Sequence, residues 1–160
     1  MKNVIETKTA LIWITDILVK LRIPFQIAGG LAAIAYGSKR ALHDIDIDIP
    51  EEAFKALANE VREFIDYGPS NFKDEKWDLM LMTLSYKGQL IDVSGAHDTK
   101  IFDGKSDRWQ HLITDFSAAE IKDVLGLQLP VIAFDELIAY KKILARDVDL
   151  LDIAELTLES

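Results

Sequence analysis

Residues 44–49 read Asp-Ile-Asp-Ile-Asp-Ile, and Pro50 follows. A strict period of two is the mark of a β-strand with one buried face, because successive side chains leave a strand on opposite sides. Ile45, Ile47 and Ile49 supply the buried face, and Asp44, Asp46 and Asp48 the other. Aspartate is a poor strand residue. Neighbouring acids on that face lie about 6.5–7 Å apart along the backbone, from a rise near 3.3 Å per residue. Unpaired, they repel one another; a divalent cation removes that cost, and oxygen donors at this spacing suit one or two hard metals. The plain alternative is a solvated edge strand, although edges usually carry Lys rather than three acids in register. A D-x-D-x-D calcium loop is excluded, because it needs Gly at its sixth position and Glu at its twelfth, where this chain has Ile49 and Lys55.

The surrounding pattern mixes helices and short strands. Leu11, Ile14, Leu18 and Leu21 fall on one helical face over residues 6–21, which Ile23-Pro24 ends. Phe25 to Ala28 reads as a short buried strand, and Leu31 to Tyr36 as a short helix ended by Gly37. Pro50-Glu51-Glu52 opens a helix whose apolar face runs from Phe54 through Leu57 and Val61 to Phe64 and Ile65. A polar loop is expected over Tyr67 to Lys76, then strands over Leu79 to Tyr86 and Leu90 to Ser94 joined at Lys87-Gly88. Residues 97–111, with six charged side chains, read as an irregular excursion. Val124 to Val131 reads as one short strand; Leu137, Tyr140 and Leu144 mark a helix capped by Asp135, and Asp147 to Leu158 a last, acidic one. The 160 residues form a single α+β domain in this reading, with residues 133–158 as a C-terminal helical tail.

Composition narrows the function. Lys plus Arg number 18 against 27 Asp plus Glu, a formal charge of −9, so general nucleic-acid binding is not expected. A nucleotide arriving with a divalent metal remains compatible. Without cysteine, thiolate metal sites and Cys nucleophiles are excluded. Met1 to Lys8 holds both charge signs and no leader pattern, and no apolar run reaches the roughly 18 residues of a membrane span. A cytoplasmic protein that does not enter membranes is the expectation.

Gly29-Gly30 sits where the first strand meets the short helix. Glycine there lets backbone approach a phosphate closely, beside free helical N–H groups. Strand, Gly-Gly, helix and then, after a thirteen-residue spacer, the acidic strand would bring phosphate binding beside metal binding.

With Tyr36-Gly37, Arg40 and Asp44-Ile-Asp46, this order resembles the signature of the DNA polymerase β-like nucleotidyltransferase superfamily: a hydrophobic residue, Gly-Gly or Gly-Ser, a spacer, then Asp-h-Asp. The stretch from Ile27 to Pro50 is most similar to small bacterial members such as aminoglycoside and lincosamide nucleotidyltransferases, and 137–152 resembles their helical tail. The resemblance implies a mixed sheet with flanking helices. It implies that a nucleoside monophosphate passes from NTP to a hydroxyl acceptor with Mg²⁺ or Mn²⁺ held by Asp44, Asp46 and a third carboxylate. Asp92, alone in the apolar run Leu90 to Val93, is the candidate for that third acid and for the base. Gly29 and Gly30 would seat the phosphates, with Arg40 and Lys141 as further nucleotide contacts. Asp48 reads as structural, His43 as exposed or supporting, and Trp77 and Trp109 as packing or stacking residues. The second Gly stands where many members have Ser, and the tail is short for holding an acceptor. A catalytically silent relative that binds or regulates, of the toxin–antitoxin type, is the alternative, and a homodimer stays open. No motif specifies the acceptor or the base of the nucleotide.

Overall fold

The computed structural model describes residues 4–158, with the side chains of Val4 and Ile5 left aside. Its elements are α1 (Val4–Lys20), β1 (Gln26–Ala28), α2 (Gly29–Ala35), β2 (Asp44–Ile49), α3 (Phe54–Glu60), β3 (Ile65–Lys73), β4 (Trp77–Tyr86), β5 (Gln89–Gly95), β6 (Thr99–Asp103), β7 (Arg108–Leu112), β8 (Glu120–Val124), β9 (Leu127–Val131), α4 (Phe134–Leu144) and α5 (Asp147–Thr157). All nine strands belong to one mixed sheet in the order β7-β6-β4-β5-β2-β1-β9-β8, with β3 paired to β4. β1 runs antiparallel to β2, and β2 parallel to β5. β1, β2 and β5 are therefore adjacent.

The alternation of β2 is realised residue by residue: Ile45, Ile47 and Ile49 are fully buried, while the three aspartates keep part of their surface. Each buried isoleucine contributes roughly 1.5–3 kcal/mol. The same core face carries Ile91 and Val93 of β5 and Met82 and Leu84 of β4, packed with Leu11, Ile14 and Leu18 of α1.

Four expectations are corrected. The helix after Pro50 begins with a 3-10 turn over Glu51–Ala53 and ends at Glu60; Phe64 closes a second 3-10 turn and Ile65 already belongs to β3. The polar segment 67–76 is mostly strand: β3 pairs antiparallel with β4 and absorbs Gly68-Pro69, joined by a cis peptide bond, where its register shifts. Proline is tolerated at such an irregularity because no ladder N–H is needed there. The charged stretch 97–111 forms the β6–β7 hairpin, its charges pointing outward along a partly exposed pair. Residues 124–131 bend at Leu125-Gly126, both at positive φ, so β8 and β9 form a hairpin in place of one strand. In addition, Ala133 is the residue before α4, with no side-chain cap, and Asp135 lies in the first turn. No helix among the described residues is long and apolar enough to cross a membrane.

Candidate active site

The register of the sheet decides which side chains share its open face. Asp46 is the direct cross-strand partner of Asp92, and Asp48 of Ser94. On the other side of β2, Ala28 pairs with Asp46 and Gln26 with Asp48. β4 adds Thr83 opposite Asp92 and Leu81 opposite Ser94. Asp44, Asp46, Asp48 and Asp92 therefore project from one face, and all four line a cavity of about 490 Å3 roofed by Glu136, Ala139 and Tyr140 of α4.

Crowding sets the acid–base character of this wall. Burial, then the carboxylates of Asp92, Asp44 and Asp48, push Asp46 up to about 8, against the opposing pull of the Gly30 N–H. Burial and Asp44 raise Asp92 to about 6. Asp48 also rises to about 6 through burial, held back by the Gln26 amide, whose Nε2 donates to it at 3.0 Å. That amide gives Asp48 a structural partner. Asp44, Asp46 and Asp92 have no ion pair with any described cation.

This donor set fits a hard divalent cation. It consists of carboxylate oxygens only, and their mutual repulsion is the cost such an ion would remove. Among the described residues no three acidic or histidine side chains close on one point.

Gly29 and Gly30 lie tight against this wall. Gly29 has φ +59°, and a Cβ there would collide with the Asp46 carboxylate; a Cβ on Gly30 would collide with the Arg40 guanidinium. The Gly29 N–H donates to the Tyr140 hydroxyl at 2.9 Å, and Gly29 itself lines the cavity. Arg40 lies over Gly30 and its Nε is 3.1 Å from Asp152. Lys141 is 2% exposed and outside the cavity lining, its Nζ 2.9 Å from Asp152 and 3.4 Å from Asp149. Asp149 in turn pairs with Arg146, whose Nε donates at 2.6 Å. This alternating chain of three cations and two acids fastens α5 to α4 and to the segment between α2 and β2. His43 is exposed; Trp77 lines the cavity, while Trp109 stacks edge-on with Phe102 of its own hairpin.

Three cavity residues were missed in the sequence. Arg146 is the one cation among the residues lining the cavity, its guanidinium half-exposed and held in the N-terminal capping box of α5. Glu136 and Tyr140 stand four residues apart on one face of α4, with Ala139 between them, all turned to the cavity. The i, i+3, i+4 spacing was visible, but Tyr140 also fits a core position, so the pattern did not separate a cavity face from a packing face.

No protein-family model matches the chain, and no curated protein matches it. Solved structures do. A candidate nucleotidyltransferase from Thermotoga maritima superposes with TM-score 0.73 at 22% identity, covering 97% of this chain and 94% of its own. The lincosamide antibiotic adenylyltransferase LnuA, with lincomycin bound, gives 0.62 at 14% identity over 94% of this chain and 96% of its own. ANT(2″)-Ia in complex with adenylyl-2″-tobramycin gives 0.62 at 15% identity over 96% and 89%. The chain has the nucleotidyltransferase fold that its residues 27–50 resemble.

Proposed function

We propose that the protein transfers a nucleoside monophosphate from a nucleoside triphosphate to a hydroxyl acceptor, releasing pyrophosphate, in the cytoplasm. The observation that carries this reading is the direct pairing of Asp46 with Asp92 on one open sheet face, beside Asp44 and against the Gly29 turn. Solved structures of the same fold support it, one named as a lincosamide antibiotic adenylyltransferase and one in complex with adenylyl-2″-tobramycin.

In this reading Asp44, Asp46 and Asp92 would hold Mg²⁺ or Mn²⁺, which when bound supplies charge neutralisation for the triphosphate. Gly29 and Gly30, bare of side chains, let the triphosphate lie along the turn. Arg146 faces the phosphates as the cavity's cation, with Asp149 fixing its fork. Asp92 accepts the proton of the acceptor hydroxyl as the new O–P bond forms and the bond to the pyrophosphate oxygen breaks. A carboxylate raised to about 6 is ionised at neutral pH and a better base than an ordinary one. Arg40 and Lys141 act at a distance from the nucleotide in this assignment: they anchor the helical tail that carries Arg146, Tyr140 and Glu136.

The test is incubation with each α-labelled NTP, Mg²⁺ and a cell extract, following label into an acceptor. Transfer lost in Asp46→Asn carries the proposal. Metal-dependent nucleotide binding with no transfer to any acceptor would favour a silent, binding relative instead.

A further inference from the structure

The cavity has two chemically different halves, and the strand order separates them. From β1 through β2 to β5 the open face is polar: Gly29, Asp46, Asp44 and Asp92. Beyond β5 it turns apolar. Trp77, Leu79 and Leu81 repeat at period two on β4, on the same side as Asp92, because Thr83 opposes Asp92 and Leu81 opposes Ser94. Phe72 of β3 joins them through its pairing with Leu79, and Leu112 and Ile113 close the wall from the β6–β7 hairpin. A triphosphate gains nothing from leucine and tryptophan surface. Asp92 stands at the boundary between the halves, where the group giving up a proton must sit.

Glu136 supplies one further feature. It lines the cavity from the first turn of α4, and its Oε2 is buried without a hydrogen-bond partner. Its carboxyl feels Asp115, two residues beyond Ile113, and is felt by Asp48. A buried unpartnered carboxylate oxygen costs free energy unless a donor meets it, and no described side chain does so.

Resting on the transfer reading above, we infer that the wall of Phe72, Trp77, Leu79, Leu81 and Ile113 is the acceptor subsite, and that the acceptor is an amphipathic alcohol whose ammonium group is received by Glu136. An apolar body lies on β3 and β4, its hydroxyl reaches Asp92, and its amine satisfies Glu136. A polycationic sugar without an apolar face would leave that wall uncovered by any matching surface.

The experiment is an NMR titration of the full chain with three probes: 2-amino-1-phenylethanol, 1-phenylethanol without the amine, and glucosamine without the apolar face. Each is run with Mg²⁺ alone and with Mg²⁺ plus α,β-methylene ATP, whose own binding is measured by thermal shift. The amino alcohol is expected to bind best and to bind alongside the nucleotide analogue. Glu136→Gln should weaken it roughly tenfold, the scale of a lost hydrogen bond to a charged group, and leave 1-phenylethanol unchanged. Ile113→Ser, at a residue 65% exposed and so without consequence for folding, should weaken both aryl probes. Absence of binding at millimolar amino alcohol, preference for glucosamine, or indifference to both substitutions overturns the assignment. Competition between probe and nucleotide analogue gives the wall to the nucleobase and overturns it too. If the probe binds as expected but Mg²⁺ and nucleotide analogue do not stabilise the protein, the subsite stands as a pocket and the transfer reading fails.

Discussion

Asp46 and Asp92 are direct partners across the parallel pair β2–β5, although 46 residues separate them in the chain. Parallel strands lie about 4.8 Å apart, so two carboxylates with no ion-pairing cation share one small region of the cavity wall. Burial first, then Asp92, Asp44 and Asp48, raise the pKa of Asp46 to about 8; burial first, then Asp44, raise that of Asp92 to about 6.

That crowding predicts metal-linked nucleotide binding. ATP should raise the melting temperature only with Mg²⁺ or Mn²⁺ present, because a ligand that binds the folded state alone stabilises it by mass action. Asp46→Asn should abolish the shift. Equal shifts in the wild-type and variant proteins would remove Asp46 from the metal site.

It also predicts an unusual pH dependence in the metal-free protein. The unfolded chain releases the proton of Asp46 near pH 4, whereas the folded protein keeps it until about pH 8. Between those values the folded state binds more protons, so stability is greatest at the acid end of that window and falls as pH rises through it. Asp92 and Asp48, each near 6, add to the fall over its lower half. Urea melts at several pH values should show this slope in EDTA, a shallower one in Asp46→Asn, and a reduced one in Mg²⁺. A metal-free stability that rises from pH 5 to pH 8 would contradict the buried, unpaired state of these acids.

Asp92→Asn changes little volume and removes the carboxylate proposed as the base. Nucleotide binding should persist while transfer falls by roughly 10²–10⁴-fold, the usual range for a general base. Full turnover in a variant with unchanged melting would exclude Asp92 from proton transfer.

The two glycines should respond differently. Gly29→Ala forces a side chain into φ +59° and against the Asp46 carboxylate, a left-handed strain of roughly 1–3 kcal/mol together with a displaced carboxylate. Gly30→Ala meets the Arg40 guanidinium, the movable end of a long side chain, and should cost less. Calorimetry of both variants checks the order, and the reverse order would show that the turn is not pressed against Asp46.

Lys141 lies buried between Asp149 and Asp152. Lys141→Met should destabilise by roughly 3–5 kcal/mol, as for breaking a buried ion pair, toward the lower end because Arg146 and Arg40 still serve the two acids. A loss in urea unfolding of about 1 kcal/mol or less, typical of exposed pairs, would contradict its burial.

What the sequence determined by itself was local. The Asp-Ile alternation of 44–49 places every side chain of β2 on its observed face, since a strand's period depends on backbone geometry alone. Gly29-Gly30, the Lys87-Gly88 turn and the final helix were legible for the same reason: each is a short-range conformational preference. Tertiary structure decided what local preference opposed or left open. β3 forms across Gly68-Pro69, and the charged 99–112 hairpin forms, because β4 offers partners to both. The pairing of Asp46 with Asp92 is set by the register of two strands distant in the chain. The burial of Lys141, and the turning of Glu136 and Arg146 toward the cavity, depend on where α4 and α5 dock. Helical periodicity names a face of a helix; only the packed neighbours decide whether that face meets core, cation or cavity.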